Sequence, residues 1–393
     1  MALRSIFLTA LVAALASFFY SRGHVLKSFV VNAPHRIEKL NTFQNYEVRF
    51  ADRLRNCEDA LLLKDRQLAI TACDPGRDKW NVVMGVYHPG DLAHGNLFAY
   101  NYAASGPGAG ELTQFKIIGF PNTTDFHTLG LELDEATSTL FVTNHAQAGA
   151  RIEVFKLDLE KFTATHIKTL THPLITTPNS IQLLGSHEFY VSNDHYFTTR
   201  QSIPLSKIES YLSLPIANVL HLTLDPANYE IKTLDVVARL AFANGVVLLN
   251  DTTLAVASSS AGVVYLYNVE TDKSLTYKQQ IVLPFLPDNV ELKDDKTLLI
   301  TGHPHLPSLA KFAQSRHICH EPEVLATASE EGKELCAKTT GLSWVAEWSE
   351  EQGLRHLFVE SIYGSSATSL FDSKAGFGLI AGLYEKGLFT WRV

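Results

Sequence analysis

Residues 58–73 read EDALLLKDRQLAITAC, and the same pattern returns without a gap at residues 179–194 (NSIQLLGSHEFYVSND), 244–259 (NGVVLLNDTTLAVASS) and 288–303 (DNVELKDDKTLLITGH). Each window is a short run rich in Leu, Val and Ile, a polar turn, and a second such run, which is the signature of strand, turn and strand. A fifth copy at residues 129–145 (LGLELDEATSTLFVTNH) fits with one extra turn residue, and a looser sixth closes the chain in SLFDSKAGFGLIAGLYEKGLFTWRV, residues 369–393. Runs such as Val263-Val264-Tyr265-Leu266-Tyr267 and Ile281-Val282-Leu283 lie between windows, so each unit has enough strands for a four-stranded sheet. Six such units predict an all-β fold, a six-bladed β-propeller whose ring leaves only short, protected edges. Window starts at 58, 129, 179, 244 and 288 leave room for loops and short helical insertions beyond compact blades. One of them, residues 202–214 (SIPLSKIESYLSL), reads as a helix, either a lid over one mouth of the ring or a plain surface helix.

Composition agrees with strands and removes one class of function. The 393 residues are 46% hydrophobic, with 22 Phe and only 2 Met. The 33 basic and 41 acidic residues give a net charge of −8 without a basic run, which argues against a nucleic-acid partner. The N-terminus carries Arg4, an apolar stretch at 6–20 and then Ser21-Arg22, so residues 1–22 read as a hydrophobic leader helix, a signal peptide or signal anchor. Ala14-Leu15-Ala16 offers a cleavage site, whereas Phe18-Phe19-Tyr20 prolongs the apolar run past it. A buried N-terminal helix of the fold is the alternative. Residues 23–393 then form one propeller domain, and the leader implies the secretory pathway, with a secreted or membrane-anchored product and a possible membrane or lipid contact through this segment.

The cysteines suit that compartment. Cys57 and Cys73 flank the first hairpin and fall opposite one another across its turn, where a disulfide can form; Cys319 and Cys336 make a second local pair around a charged, Ala/Glu-rich excursion. Asn122-Thr-Thr and Asn250-Asp-Thr are glycosylation sequons.

The first position of the repeat carries the chemistry. In a propeller the innermost strands begin near one mouth of the central channel, so Glu58, Leu129, Asn179, Asn244 and Asp288 point toward a common axis, followed by Asp59, Gly130, Ser180, Gly245 and Asn289. Taken singly, Asn or Asp before a strand serves turns and caps. Several at one register, buried near an axis, are costly unless a cation or a donor meets them. Glu58, Asn179, Asn244, Asp288 and Asn289 offer five side-chain oxygens and two negative charges, a donor set for calcium, whereas no His/Cys cluster suggests zinc.

Those residues lie in motifs that resemble the paraoxonase/arylesterase family of calcium-dependent lactonases and arylesterases. They are Cys57-Glu58-Asp59, Thr143-Asn144-His145, Pro178-Asn179-Ser180-Ile181, N-D-H-Y-F at 193–197, F-A-N-G at 242–245, Asp288-Asn289, and Gly302-His303-Pro304. The resemblance runs from about Cys57 to the C-terminus. It implies that Glu58, Asn179, Asn244, Asp288 and Asn289 hold a catalytic Ca2+ and that His145 and His195 line the pocket. It also implies a second calcium at Asp59 and the carbonyl of Leu131, with a carboxylate where this chain has Ser180; without that charge the second ion is weakened or absent. The family's histidine dyad has its first member where this chain has Leu129, leaving His145, with His127 two residues upstream as a substitute on the same strand face. The disulfide joining the chain ends in the family is missing, since Trp391 stands in the C-terminal motif.

The expected reaction is attack of water on a lactone or aryl ester whose carbonyl is polarised by calcium, with Asn179 and Asn289 assisting at the oxyanion. The base is His145, or an acidic ligand, Glu58 or Asp288. No G-x-S-x-G elbow offers a serine nucleophile, and the Gly-rich segment 105–110 lacks the Lys of a phosphate loop. Two rivals stand beside this reading. One is a gluconolactonase-like or strictosidine-synthase-like propeller enzyme, against which N-D-H-Y-F and F-A-N-G speak. The other is a non-catalytic secreted propeller with a structural calcium, for which Leu129 and Ser180 speak.

Overall fold

The computed structural model describes residues 2–393; side chains at 2, 3, 10, 11, 14, 15, 20 and 21 lie outside that description, and with them most of the Ala14-Leu15-Ala16 site. Six sheets, antiparallel except for the parallel edge strand Lys116–Ile118, stand around one axis as a six-bladed β-propeller. Their innermost strands are Cys57–Leu63, Thr128–Asp134, Pro178–Gly185, Ala243–Asn250, Leu286–Asp294 and Ser366–Asp372, in blades one to six. Each inner strand packs on the next, and the sixth meets the first. The N-terminal segment closes the ring: Glu47–Arg49 pairs with the last strand, Leu388–Arg392, as the outer strand of blade six. Phe43 stacks on Trp391 at 3.9 Å between ring centroids, so an aromatic contact and a strand pair hold the two ends together.

The alternation in the windows explains the packing. Each blade turns one face to its predecessor and one to its successor, and a separate apolar cluster fills each of the six interfaces. Phe141 and Phe189 meet between blades two and three at 5.2 Å, and Phe285 stacks on Trp344 at 5.1 Å within the cluster of blades four and five. Burying one such side chain contributes about 1.5–3 kcal/mol, and the repetition makes every interface contribute alike.

Cys57 pairs with Cys73 across the first hairpin and the two are disulfide-bonded, as are Cys319 and Cys336. The stretch at 202–214 holds a helix at Ile203–Leu212, capped by the Ser202 side chain. The leader forms α1 (Ala2–Val31), so the helix at Ile203–Leu212 is α2, followed by α3 (Leu306–Cys319), α4 (Pro322–Thr327) and α5 (Glu330–Lys338). The second disulfide ties the end of α3 to α5 across α4.

Helix α1 continues past residue 22 without a break. Its C-terminal half docks on the ring: Val25 and Ser28 are buried, Arg22 donates to the Ser260 carbonyl, and Asn32 donates to the Pro284 carbonyl at 2.7 Å. Its N-terminal half leaves Ile6 and Phe7 exposed. Among the described residues no helix is long and apolar enough to cross a membrane.

Glu385 gives the fold a pH dependence. Burial pushes its carboxyl up to about 7, against the Gly364 N–H it accepts at 2.9 Å and the nearby Arg316 guanidinium. A carboxyl raised in the folded state stabilises the fold while protonated and loses that contribution as pH climbs from the ordinary range to about 7. Glu385→Gln keeps an acceptor for Gly364 and should remove about 2–4 °C of the decline in melting temperature between pH 5 and pH 8, read by calorimetry. An unchanged slope would assign the decline to other groups.

Candidate active site

A β-bulge recurs at the head of every inner strand. In blade three Pro178 faces Asn193 and Ile181 faces Val191, so three steps on one strand match two on the other; a shift of one residue appears at this place in all six blades. A bulge re-aims the side chains it carries. Its two positions are those singled out by the repeat, and in the sixth blade they are Ala367 and Thr368. Gly130 and Gly245 occupy the second position where the neighbouring blade comes closest: a Cβ on Gly130 would lie 2.2 Å from the Asn179 carbonyl oxygen, and one on Gly245 would lie 2.6 Å from the Asn289 Cα. Only glycine permits that approach.

Hydrogen bonds pair Asn289 with Glu58 and Asn244 with Asp288 among the five sequence-predicted oxygen donors, and Asn179 joins them by lining the same cavity as Glu58, Asn244 and Asp288. Asn289 Nδ2 donates to Glu58 Oε1 at 3.0 Å and to Thr368 Oγ1 at 2.8 Å. Asn244 Nδ2 donates to Asp288 Oδ1 at 2.6 Å and to Ser259 Oγ at 3.0 Å, and Asn179 Nδ2 reaches Asp194 Oδ2 at 3.4 Å. With the amide N–H groups so directed, Oδ1 of Asn179, Asn244 and Asn289 and Oε2 of Glu58 are buried without any donor. An unpaired buried acceptor costs roughly 1–3 kcal/mol, and four of them on neighbouring side chains call for a shared partner that carries positive charge. Hard oxygen ligands suit a cation such as calcium. Among the described residues no three His, Cys, Asp or Glu group to hold a metal, so such a site depends on its amides.

Electrostatics point the same way. Burial pushes the Glu58 carboxyl well above the usual range, and Asp59 and Asp288 add to the rise; burial also lifts Asp59, to about 6. A positive charge at the orphaned oxygens would relieve both.

Glu58, Asn179, Asn244 and Asp288 form the polar floor of a cavity of about 130 Å³. Its walls are mainly apolar, with Leu129 and Phe242 among them. Residues of α2, the start of α3 and the loop at 83–85 also line it, so α2 borders the cavity, the position expected of a lid. A polar floor under an apolar hood suits a small, largely uncharged molecule with one reactive polar group.

His303 belongs to this site and was absent from the expected catalytic set. It lines the cavity, its Nε2 stands 2.8 Å from Asp288 Oδ2, and its Nδ1 is buried without a partner. The other histidines lie elsewhere. His195 bonds Asp194 Oδ1 through Nδ1 at 2.6 Å and Ser210 Oγ through Nε2 at 2.7 Å, which ties blade three to the lid instead of presenting a free nitrogen. His145 donates from Nε2 to the Pro178 carbonyl at 2.9 Å and lines a separate cleft with Arg200; burial holds its pKa down. His127 is buried with Nδ1 3.2 Å from Asp74 Oδ2 and Nε2 unpartnered; desolvation opposes its charged form, yet Asp74 raises its pKa overall. None of these three lines the axial cavity. The N–H groups of Asn179 and Asn289, expected to assist at the oxyanion, face Asp194, Glu58 and Thr368, while their side-chain oxygens have no donor.

Comparisons with known proteins converge on one family. Residues 93–330 match the arylesterase family. Serum paraoxonase/arylesterase 2 of the dog is 28% identical over 68% of this chain and 69% of its own length. The human protein of that name is 31% identical over 65% of each chain, and serum paraoxonase/arylesterase 1 of the mouse is 30% identical over 46% of this chain and 50% of its own. The matched region thus spans from half to about two thirds of these relatives. Among solved structures, a gluconolactonase of Xanthomonas campestris superposes with a TM-score of 0.52 at 12% identity, covering 90% of each chain, and a luciferin-regenerating enzyme with 0.50 at 10%, covering 88% of this chain and 95% of the other. These two likenesses speak to the propeller fold.

Proposed function

Because the chain belongs to the arylesterase family, we propose that it hydrolyses lactones or aryl esters in the axial cavity, with Ca2+ held by Glu58, Asn179, Asn244, Asp288 and Asn289. The observation that carries this reading is the set of four buried, donorless oxygens, three of them on Glu58, Asn179 and Asn244, which line one apolar-walled cavity together with His303. When bound, the ion supplies Lewis acidity toward the substrate carbonyl and the developing negative charge. The protein supplies the rest. Asp288 accepts a hydrogen bond from His303 Nε2–H, which fixes the tautomer and leaves the buried Nδ1 as the unpaired nitrogen that would take a proton from water admitted to the site. Leu129 and Phe242 exclude bulk solvent and pack the substrate's apolar part. The Ser210–His195–Asp194 chain holds the lid in register with the head of blade three.

The test is hydrolysis of phenyl acetate and a panel of γ- and δ-lactones with and without a calcium chelator. Activity lost to the chelator and restored by calcium is expected. Turnover indifferent to the chelator rejects the metal reading, and turnover of no ester or lactone rejects the hydrolase reading for this chain.

Secretion fits the same picture. Two disulfides, the exposed positions of Asn122 and Asn250, and the exposed apolar start of α1 support entry into the secretory pathway, glycosylation at both sequons, and a lipid or membrane contact through α1.

A further inference from the structure

Resting on that calcium reading, we propose that the chain holds a single cation, and that protein hydrogen bonds alone close the ring across its axis, so that the fold does not depend on metal. The resemblance to the family implies a second ion at Asp59 and Leu131, and the residues present do not fit it. Asp59 Oδ1 accepts the Ala60 N–H at 2.8 Å and stands 2.9 Å from the Thr368 hydroxyl; Oδ2 accepts the Leu131 N–H at 2.9 Å. Neither oxygen is left without a donor, in contrast to the four orphaned oxygens at the first site. Ser180 stands where a carboxylate would be needed, and its Oγ accepts the Val246 N–H of the next blade at 3.2 Å.

These bonds belong to a closed circuit. Asp59 with Leu131 joins blades one and two, Thr143 with the Asn179 carbonyl at 3.2 Å joins two and three, and Ser180 with Val246 joins three and four. Ser259 Oγ donates to the Pro287 carbonyl at 2.6 Å between four and five, Thr301 donates to Ser369 Oγ at 2.6 Å between five and six, and Thr368 with Asp59 returns to blade one. Every interface therefore has a protein bridge near the axis, and a second ion would have to displace donors already in place. Thr368 is the hinge of the circuit, since it also accepts from the ligand Asn289 at 2.8 Å.

The decisive measurement is calcium per chain by elemental analysis of the full-length protein after gel filtration in calcium, paired with melting curves in calcium and in EGTA. One ion per chain and a cooperative melt that survives EGTA are expected. Two ions, or loss of cooperative unfolding in EGTA, would overturn the inference while leaving the calcium reading intact; no bound ion would overturn both. Thr301→Val, which breaks the bond to Ser369 without touching a calcium ligand, should lower the melting temperature by several degrees equally in calcium and EGTA, with Thr301→Ser close to wild type. A loss confined to one of the two conditions contradicts a metal-independent circuit.

Discussion

Glu58→Gln is expected to lower kcat/KM for lactones and phenyl acetate by about 10³-fold and to abolish stoichiometric calcium binding, while leaving the protein folded. Five oxygen donors carry only two formal negative charges, on Glu58 and Asp288, so removing one halves the attraction for a divalent ion. Glutamine preserves size and can still accept the Asn289 amide that Glu58 Oε1 accepts at 3.0 Å, so the neighbouring side chains keep their places. The fold should tolerate the change or gain from it without calcium, because burial, Asp59 and Asp288 all push the Glu58 carboxyl up and so disfavour its charged form. A 10³-fold loss corresponds to about 4 kcal/mol of transition-state stabilisation. Three readouts separate the explanations: kcat/KM, calcium per chain, and melting temperature in EGTA. Near-normal turnover by metal-free Glu58→Gln protein would remove the ion from the reaction.

The register of the repeat makes these oxygens legible without coordinates. A hairpin repeated in phase puts equivalent residues at equivalent heights around an axis, so Glu58, Asn179, Asn244 and Asp288 read as neighbours although they lie far apart in the chain. The last position of the windows carries a further signal. Asn179 bonds Asp194, Asn244 bonds Ser259, Asp288 bonds His303, and Cys57, just before the first window, is bonded to Cys73 at its end. The side chains at the two ends of a hairpin window meet, so His303 is readable as the partner of Asp288. Thr368 is not. The sixth copy aligns by its apolar run from Ser369, one residue past Thr368, and a bulge adds a residue that pattern matching cannot see. The histidines named by family resemblance show the opposite limit: their positions follow from the motifs, but which nitrogen is free depends on Pro178, Asp74 and Ser210, contacts between segments that no local pattern encodes.

His303→Gln is expected to lower kcat by about 10²-fold with little change in KM or in bound calcium, whereas His145→Gln should stay within about threefold of wild type. General-base assistance is worth about 10²–10⁴-fold, and the lower end is expected because Asp288 and bulk water can still take up the proton slowly. The glutamine that replaces His303 can place an amide N–H near Asp288 Oδ2, so the carboxylate keeps a donor and its geometry while the free Nδ1 lone pair is lost. A purely structural role would show itself differently, through a lower melting temperature or weaker calcium binding with kcat preserved. If the two variants exchange behaviours, the proton goes to His145 and the axial cavity must open toward it during turnover. The cleft that His145 shares with Arg200 would then be part of the route by which water arrives.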